Sequence, residues 1–180
     1  MYSIDEKSLK IGVKLIDYGE VLSIAKIHKK EITGKKIPVL RLRPHYKTNS
    51  NKTLVYSVPV INLKNGTIRR LLDKKSFKKI LIEELNEQTM TAPASKTDAK
   101  EILKNKSPRI AIKLLKCMWI EQQISENFTK GKKDMLQLAI DRLVQEYAFI
   151  HDIPLEEAEK KLLKTIKKNV EIPDAPEEEV

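Results

Sequence analysis

The chain has little of several things, and each shortage excludes something. It has one cysteine, Cys117, in 180 residues. No internal disulfide can form, so a reducing, cytoplasmic setting is expected. The sequons at Asn51, Asn65 and Asn127 are then chance matches. It has no apolar run approaching the roughly 18 to 20 residues that a membrane span needs. MYSIDEKSLK carries charge where a secretion signal would be apolar. Three histidines, His28, His45 and His151, have no metal-ligand spacing among themselves or with Cys117. Gly34-Lys35-Lys36 and Gly131-Lys132-Lys133 are isolated glycines beside lysines, not a phosphate-binding loop. Cys117 sits among Leu114, Leu115 and Met118 with no base beside it, which fits a buried inert thiol. The pairs Glu83-Glu84 and Glu156-Glu157 read as solvated helix faces. No catalytic constellation, metal site or cofactor is expected.

Basic charge is plentiful, and it is unevenly spread. The net charge is +10. Residues 1–80 hold 19 Lys/Arg against 6 Asp/Glu, and residues 81–180 hold 16 against 19. The last ten, EIPDAPEEEV, carry five acids and no base. Such asymmetry suggests a polyanion or an acidic protein surface as partner. A solvated surface from a Lys-rich composition is the plain alternative.

Hydrophobic patterning divides the chain in two. Residues 10–63 alternate like strands: Val13–Tyr18, Glu20–Glu31, Ile37–Leu42 and Thr53–Pro59, with a turn at Thr33-Gly34-Lys35 and a polar loop over Pro44–Lys52. Short strands in this number suggest a small twisted barrel. Beyond them the period becomes helical. Asp73 caps a segment with Phe77, Ile80, Leu81 and Leu85 on one face. Residues 87–97 read as a linker around Pro93. Ser107-Pro108 opens a helix through Leu114, Leu115 and Met118. Asn127–Gly131 breaks it. Thr129 starts a helix striped by Leu136, Ala139, Ile140, Leu143, Val144 and Tyr147, and Pro154 opens a last one. The expected class is α+β in two modules, a small Tudor/SH3-like β-barrel followed by an all-α bundle. The expected limits are 8–72 for the barrel, 73–97 for a connecting helix and linker, 98–169 for the bundle and 170–180 for a disordered acidic tail.

The order of residues Lys10-Ile11-Gly12-Val13, Ile32-Thr33-Gly34-Lys35-Lys36, Val39-Leu40-Arg41-Leu42 and Val58-Pro59-Val60-Ile61-Asn62 resembles the N-terminal module of CarD-family transcription regulators. That family shows K-x-G-D, I-x-G, an apolar strand and V-P-x-x-N in this order. Phe128–Leu136 is similar to its L-S-x-G-E-K-R-M-L helix start, and Ile153–Glu159 to the start of its last helix. The match covers roughly residues 8 to 168.

The resemblance implies that the barrel docks on the RNA polymerase β subunit and that the helices lean on promoter DNA near the melted region and stabilise the open complex; a monomer that contacts DNA weakly and non-specifically is expected. Docking is expected at the hairpin around Thr33-Gly34, whose exposed edge suits strand addition, with Lys30, Lys35, Lys36, Val39 and Arg41; Lys30 matches a basic position that members use against polymerase. An arginine that members carry before V-P is Ser57 here. Lys96, Lys100, Lys104, Arg109, Lys113, Lys130 and Lys133 are the candidates for phosphate. Lys132 replaces an acid of the family pattern, and Asp134 replaces a base. Members also insert a tryptophan at the minor groove; that place falls on Ala92-Pro93-Ala94-Ser95 here. Trp119 is expected to pack within a helix instead. Two other readings stand beside this one. One is an adaptor that binds polymerase or another protein without touching DNA. The other is a basic barrel that binds RNA.

Overall fold

The computed structural model describes residues 4–32, 34–64 and 66–172. Thr33 of the expected turn, the sequon Asn65 and residues 173–180 of the acidic tail lie outside the described residues. Among the described residues the protein is α+β, with a five-stranded antiparallel sheet and five α-helices, and the chain divides into two compact units, 1–72 and 73–180.

In the first unit, β1 (Lys14–Asp17), β2 (Glu20–Ile32), β3 (Lys35–Pro44), β4 (Tyr56–Pro59) and β5 (Arg69–Arg70) lie in the order β4-β3-β2-β1-β5. The β1–β2 connection is the two residues Tyr18-Gly19, at φ 46° and 82°. Two positive φ values in a two-residue loop match the right-handed twist of the flanking strands. Leu15, Leu22, Ile24, Leu40, Leu42, Val60, Leu63 and Ile68 form the core, with Ile27, Tyr56 and Val58 packed against it. Val60 and Leu63 come from a 3-10 turn that follows β4 directly.

Two expectations are corrected here. The sheet is not a closed barrel: β4 and β5 are its edges and do not pair with each other. Closure needs the two edge strands to share a ladder, and among the described residues β4 pairs only with β3 and β5 only with β1. The strands are also not uniformly short, since β2 runs for 13 residues and β3 for 10. A bulge at Ala25 lets β2 keep its pairing, with the register stepping from Ile24↔Leu42 to Lys26↔Arg41.

In the second unit α1 spans Lys74–Asn86, α2 Lys96–Ile102, α3 Pro108–Ile124, α4 Lys130–His151 and α5 Leu155–Asn169. The starts are set by local chemistry. Asp73, Ser95, Ser107 and Thr129 each accept a hydrogen bond from a backbone N–H of the first turn, which satisfies donors the helix itself leaves orphaned. Asp152 closes α4 in the left-handed region at φ 53°. α3 is the core helix, with Ala111, Ile112, Leu114, Leu115, Met118 and Ile120 all buried. It packs on α1 and α4, and α4 packs on α2 and α5. Segment 73–97, expected as connecting helix and linker, therefore contributes α1 to the helical unit, and the linker reading of 87–97 ends where α2 begins. Gly131, expected in the break between α3 and α4, lies inside α4; the interruption is Ser125–Thr129. Among the described residues no helix is long and apolar enough to cross a membrane.

Candidate interaction surfaces

One face of the sheet packs the core of this unit; the other combines buried Ile16, Val21 and Val39 with a run of cations, and the bulge decides which residues of β2 fall on which. Leu22 and Ile24 point to the core; after the bulge Ile27 does so. Lys26, His28 and Lys30 are thereby turned to the same face as Ser23. Across the ladder this face also holds Arg43 opposite Ser23, Arg41 opposite Lys26, and Ile37 opposite Lys30. Lys14 joins it opposite Ser23, donating from Nζ to Ser23 Oγ at 2.6 Å. Lys35 continues the alternation toward the hairpin tip. These six cations, and the buried Arg69 opposite Ile16, thus share one face with no acid on its paired positions. Lys26, Lys30, Lys35, Arg41 and Arg43 are exposed, and among the described residues they take part in no ion pair. Lys26 and Arg41 are a like-charge pair directly opposite each other, which costs the sheet stability. The field reaches His45 at the near end: burial and then the Lys14 charge hold its imidazole below the ordinary pKa. Past Ile27 the core-side face carries Lys29, Glu31 and Lys36, so charge there is mixed.

The same hairpin offers backbone. β4 pairs with Val39–Leu42 only, and β1 with Glu20–Ser23. Gly12 and Val13 extend that side as far as Ile24, where the Gly12 N–H donates to the Ile24 carbonyl at 2.8 Å. The φ of 90° at Gly12 explains a glycine at this place. Beyond these, Lys26–Ile32 and Lys35–Pro38 pair with each other and, among the described residues, have no outer strand. Lys30, Lys35 and Lys36 lie in this projecting part, and Arg41 lies on the basic face below it. Val39 is the correction: it is 3% exposed, between His28 of β2 and Pro59 of β4, and its side chain is not available to a partner.

The helical cations have a different fate. Arg109 on α3 reaches back to α1, donating to Glu83 Oε2 at 2.8 Å and, closely, to Glu84 Oε1. Lys113 Nζ lies 3.3 Å from Glu84 Oε2. Glu84 is buried, so these contacts are what allow a carboxylate there. Glu84 and then Glu83 raise the guanidinium pKa further, and Arg109 in turn holds Glu83 low. Lys96 Nζ donates to Asp134 Oδ2 at 2.8 Å, tying α2 to α4. That contact, ahead of the Lys130 charge, depresses the Asp134 carboxyl. Lys104 pairs with Glu101. Four of the seven expected phosphate contacts therefore already hold acids, and Lys100, Lys130 and Lys133 are the exposed remainder.

Cys117 is buried, and burial followed by Glu121 pushes its thiol up, away from the reactive thiolate. Trp119 is half-buried on α3.

Sequence reasoning did not single out Lys14, Lys26 and Arg43 on the sheet, nor Lys78, Lys161, Lys164 and Lys168 on α1 and α5. The apolar step from Ile24 to Ile27, three residues where a strand takes two, is the signal that places Lys26 with Lys30. No family model matches the chain, and no curated protein matches it.

Proposed function

We propose that the chain is a non-catalytic transcription regulator of CarD-like design. The sheet unit serves as an open, Tudor-like docking module. It binds the β subunit of RNA polymerase through the projecting β2–β3 hairpin, and the helical unit meets promoter DNA weakly and without sequence specificity.

The observation that carries the docking half is the hairpin itself. Its outer edges at Lys26–Ile32 and Lys35–Pro38 have unused main-chain groups, the elements of strand addition. Beside them lies an acid-free face of six cations that an acidic surface would relieve. Lys30, Lys35, Lys36 and Arg41 are the contacting side chains in this reading. The test is capture from a cell extract on the immobilised chain. Polymerase β subunit in the eluate is expected, and ribosomal proteins or RNA in its place would move the sheet to an RNA partner.

A second reading, an adaptor that binds polymerase and leaves DNA alone, is favoured by one observation. Lys96, Lys104, Arg109 and Lys113 are spent on Asp134, Glu101, Glu83 and Glu84. Ala92-Pro93-Ala94 also has no aromatic to unstack a base step. Mobility of a promoter fragment with polymerase, with and without this protein, separates the two.

A further inference from the structure

A second concentration of unspent charge lies in the helical unit, away from every candidate named so far. α1, α4 and α5 enclose an open groove of about 380 Å³. Its floor is Ile82 of α1 and Tyr147 of α4, and its walls are Lys78 of α1 and Lys161, Lys164 and Lys168 of α5. Lys161 pairs with Glu157 at 2.7 Å. Lys78, Lys164 and Lys168 are exposed, and among the described residues they have no acidic partner. Lys74, one turn before Lys78, adds its charge: after burial, Lys74 and then Lys161 hold the His151 imidazole below its ordinary pKa. Two packed helices thus face each other with charge of one sign, an arrangement that an anion lying between them relieves.

We propose that duplex DNA binds this groove, its phosphate backbone lying between the lysines of α1 and α5. This rests on the DNA-contact half of the function proposed above and moves that contact from α2 and the starts of α3 and α4 to the α1/α5 flank. Duplex is favoured over single strand by the floor. Single strands gain their affinity from bases stacked on open aromatic faces. Tyr147 is 9% exposed; its ring stacks on His151 at 4.2 Å and takes the edge-to-face contact of Phe77 at 5.7 Å. What the groove offers is point charge, which reads backbone and not sequence.

The test uses the full chain without polymerase, so it does not depend on docking. Fluorescence anisotropy follows a labelled duplex of about 20 base pairs, and the single strand of the same sequence, between about 50 and 200 mM salt. The duplex is expected to bind more tightly than the single strand. The double variant Lys164→Ala/Lys168→Ala is expected to weaken duplex binding and lower the log–log salt slope by about 2, one for each lost phosphate contact. Lys78→Ala, on the other wall, is expected to lower it by about 1. All three lysines are exposed, and a melting curve checks that each variant is folded. Lys100→Ala/Lys130→Ala/Lys133→Ala and Lys26→Glu/Arg41→Glu are expected to leave the slope unchanged. Loss through either of those two, with the groove variants unchanged, overturns the groove while keeping DNA contact. Absence of any duplex binding overturns both, and tighter binding of the single strand overturns the choice of ligand.

Discussion

The two units differ most in what they do with charge. Residues 1–72 hold 15 Lys/Arg against 5 Asp/Glu, so the sheet unit carries the whole net charge of the chain. Residues 73–180 hold 20 of each. The helical unit uses its acids structurally: Lys79, Lys96, Lys104, Arg109, Lys113, Lys132 and Lys161 each hold one. In the sheet unit Lys64 approaches Glu6 at 4.0 Å, while the six cations of the basic face stand together. Charge that is paired inside a unit contributes to its fold; charge left unpaired at a cost to the fold is free for a partner. That contrast, more than the total of +10, is what the proposed docking role of the sheet rests on.

The largest expected effect attacks the paired side. Glu84→Ala strands Arg109 and Lys113 and removes a buried carboxylate held by both. Breaking a buried pair from one side costs about 3–5 kcal/mol; with Arg109 partly solvated, about 2–3 kcal/mol is expected by denaturant unfolding of the helical signal. The change should leave capture of polymerase unaltered.

On the unpaired side the sign reverses. Lys26→Glu converts the Lys26↔Arg41 pair to opposite charges and should stabilise the sheet by roughly 0.2–1 kcal/mol while weakening polymerase binding. A gain in melting temperature together with a loss of binding is the mark of a functional surface. Added salt should act in the same direction, raising the stability of the sheet unit by screening its self-repulsion. A melting series in increasing salt checks this.

Much of this was legible in the sequence, because capping and helical periodicity are local. Asp73, Ser107-Pro108 and Thr129 mark three helix starts where the structure has them. The sheet was harder. Strand alternation identifies β2 and β3, but a bulge at Ala25 changes which face every later residue of β2 takes, and its one local trace is the three-residue apolar step from Ile24 to Ile27. Closure of a barrel depends on whether β4 and β5 meet, a long-range property. Val39 lies in a docking motif by resemblance and in the packed sheet by geometry. The helical lysines illustrate the same limit. Lys96 and Asp134 are 38 residues apart, and nothing in their neighbours says that they neutralise each other.

The smallest expected effect is a pH dependence. Asp73 accepts hydrogen bonds from the Ser76 hydroxyl at 2.6 Å and the Ser76 N–H at 2.9 Å, and these hold its carboxyl below the ordinary value. A carboxyl with a lowered folded pKa contributes stability above its unfolded pKa and loses it as pH falls through the folded value. Asp73→Asn should therefore flatten the acid limb of the helical unit's stability curve, as seen by melting between about pH 5 and pH 2.

The docking claim is tested most directly by the affinity of the full chain for purified polymerase β subunit, measured for the parent and two charge variants. Lys26→Glu/Lys30→Glu alters the unpaired face, and Lys100→Glu/Lys133→Glu changes the same number of exposed lysines on the helical unit. The account expects the first to lose at least about tenfold, equivalent to 1.4 kcal/mol, and the second to bind like the parent. Equal binding by all three, or a loss confined to the helical variant, would contradict it.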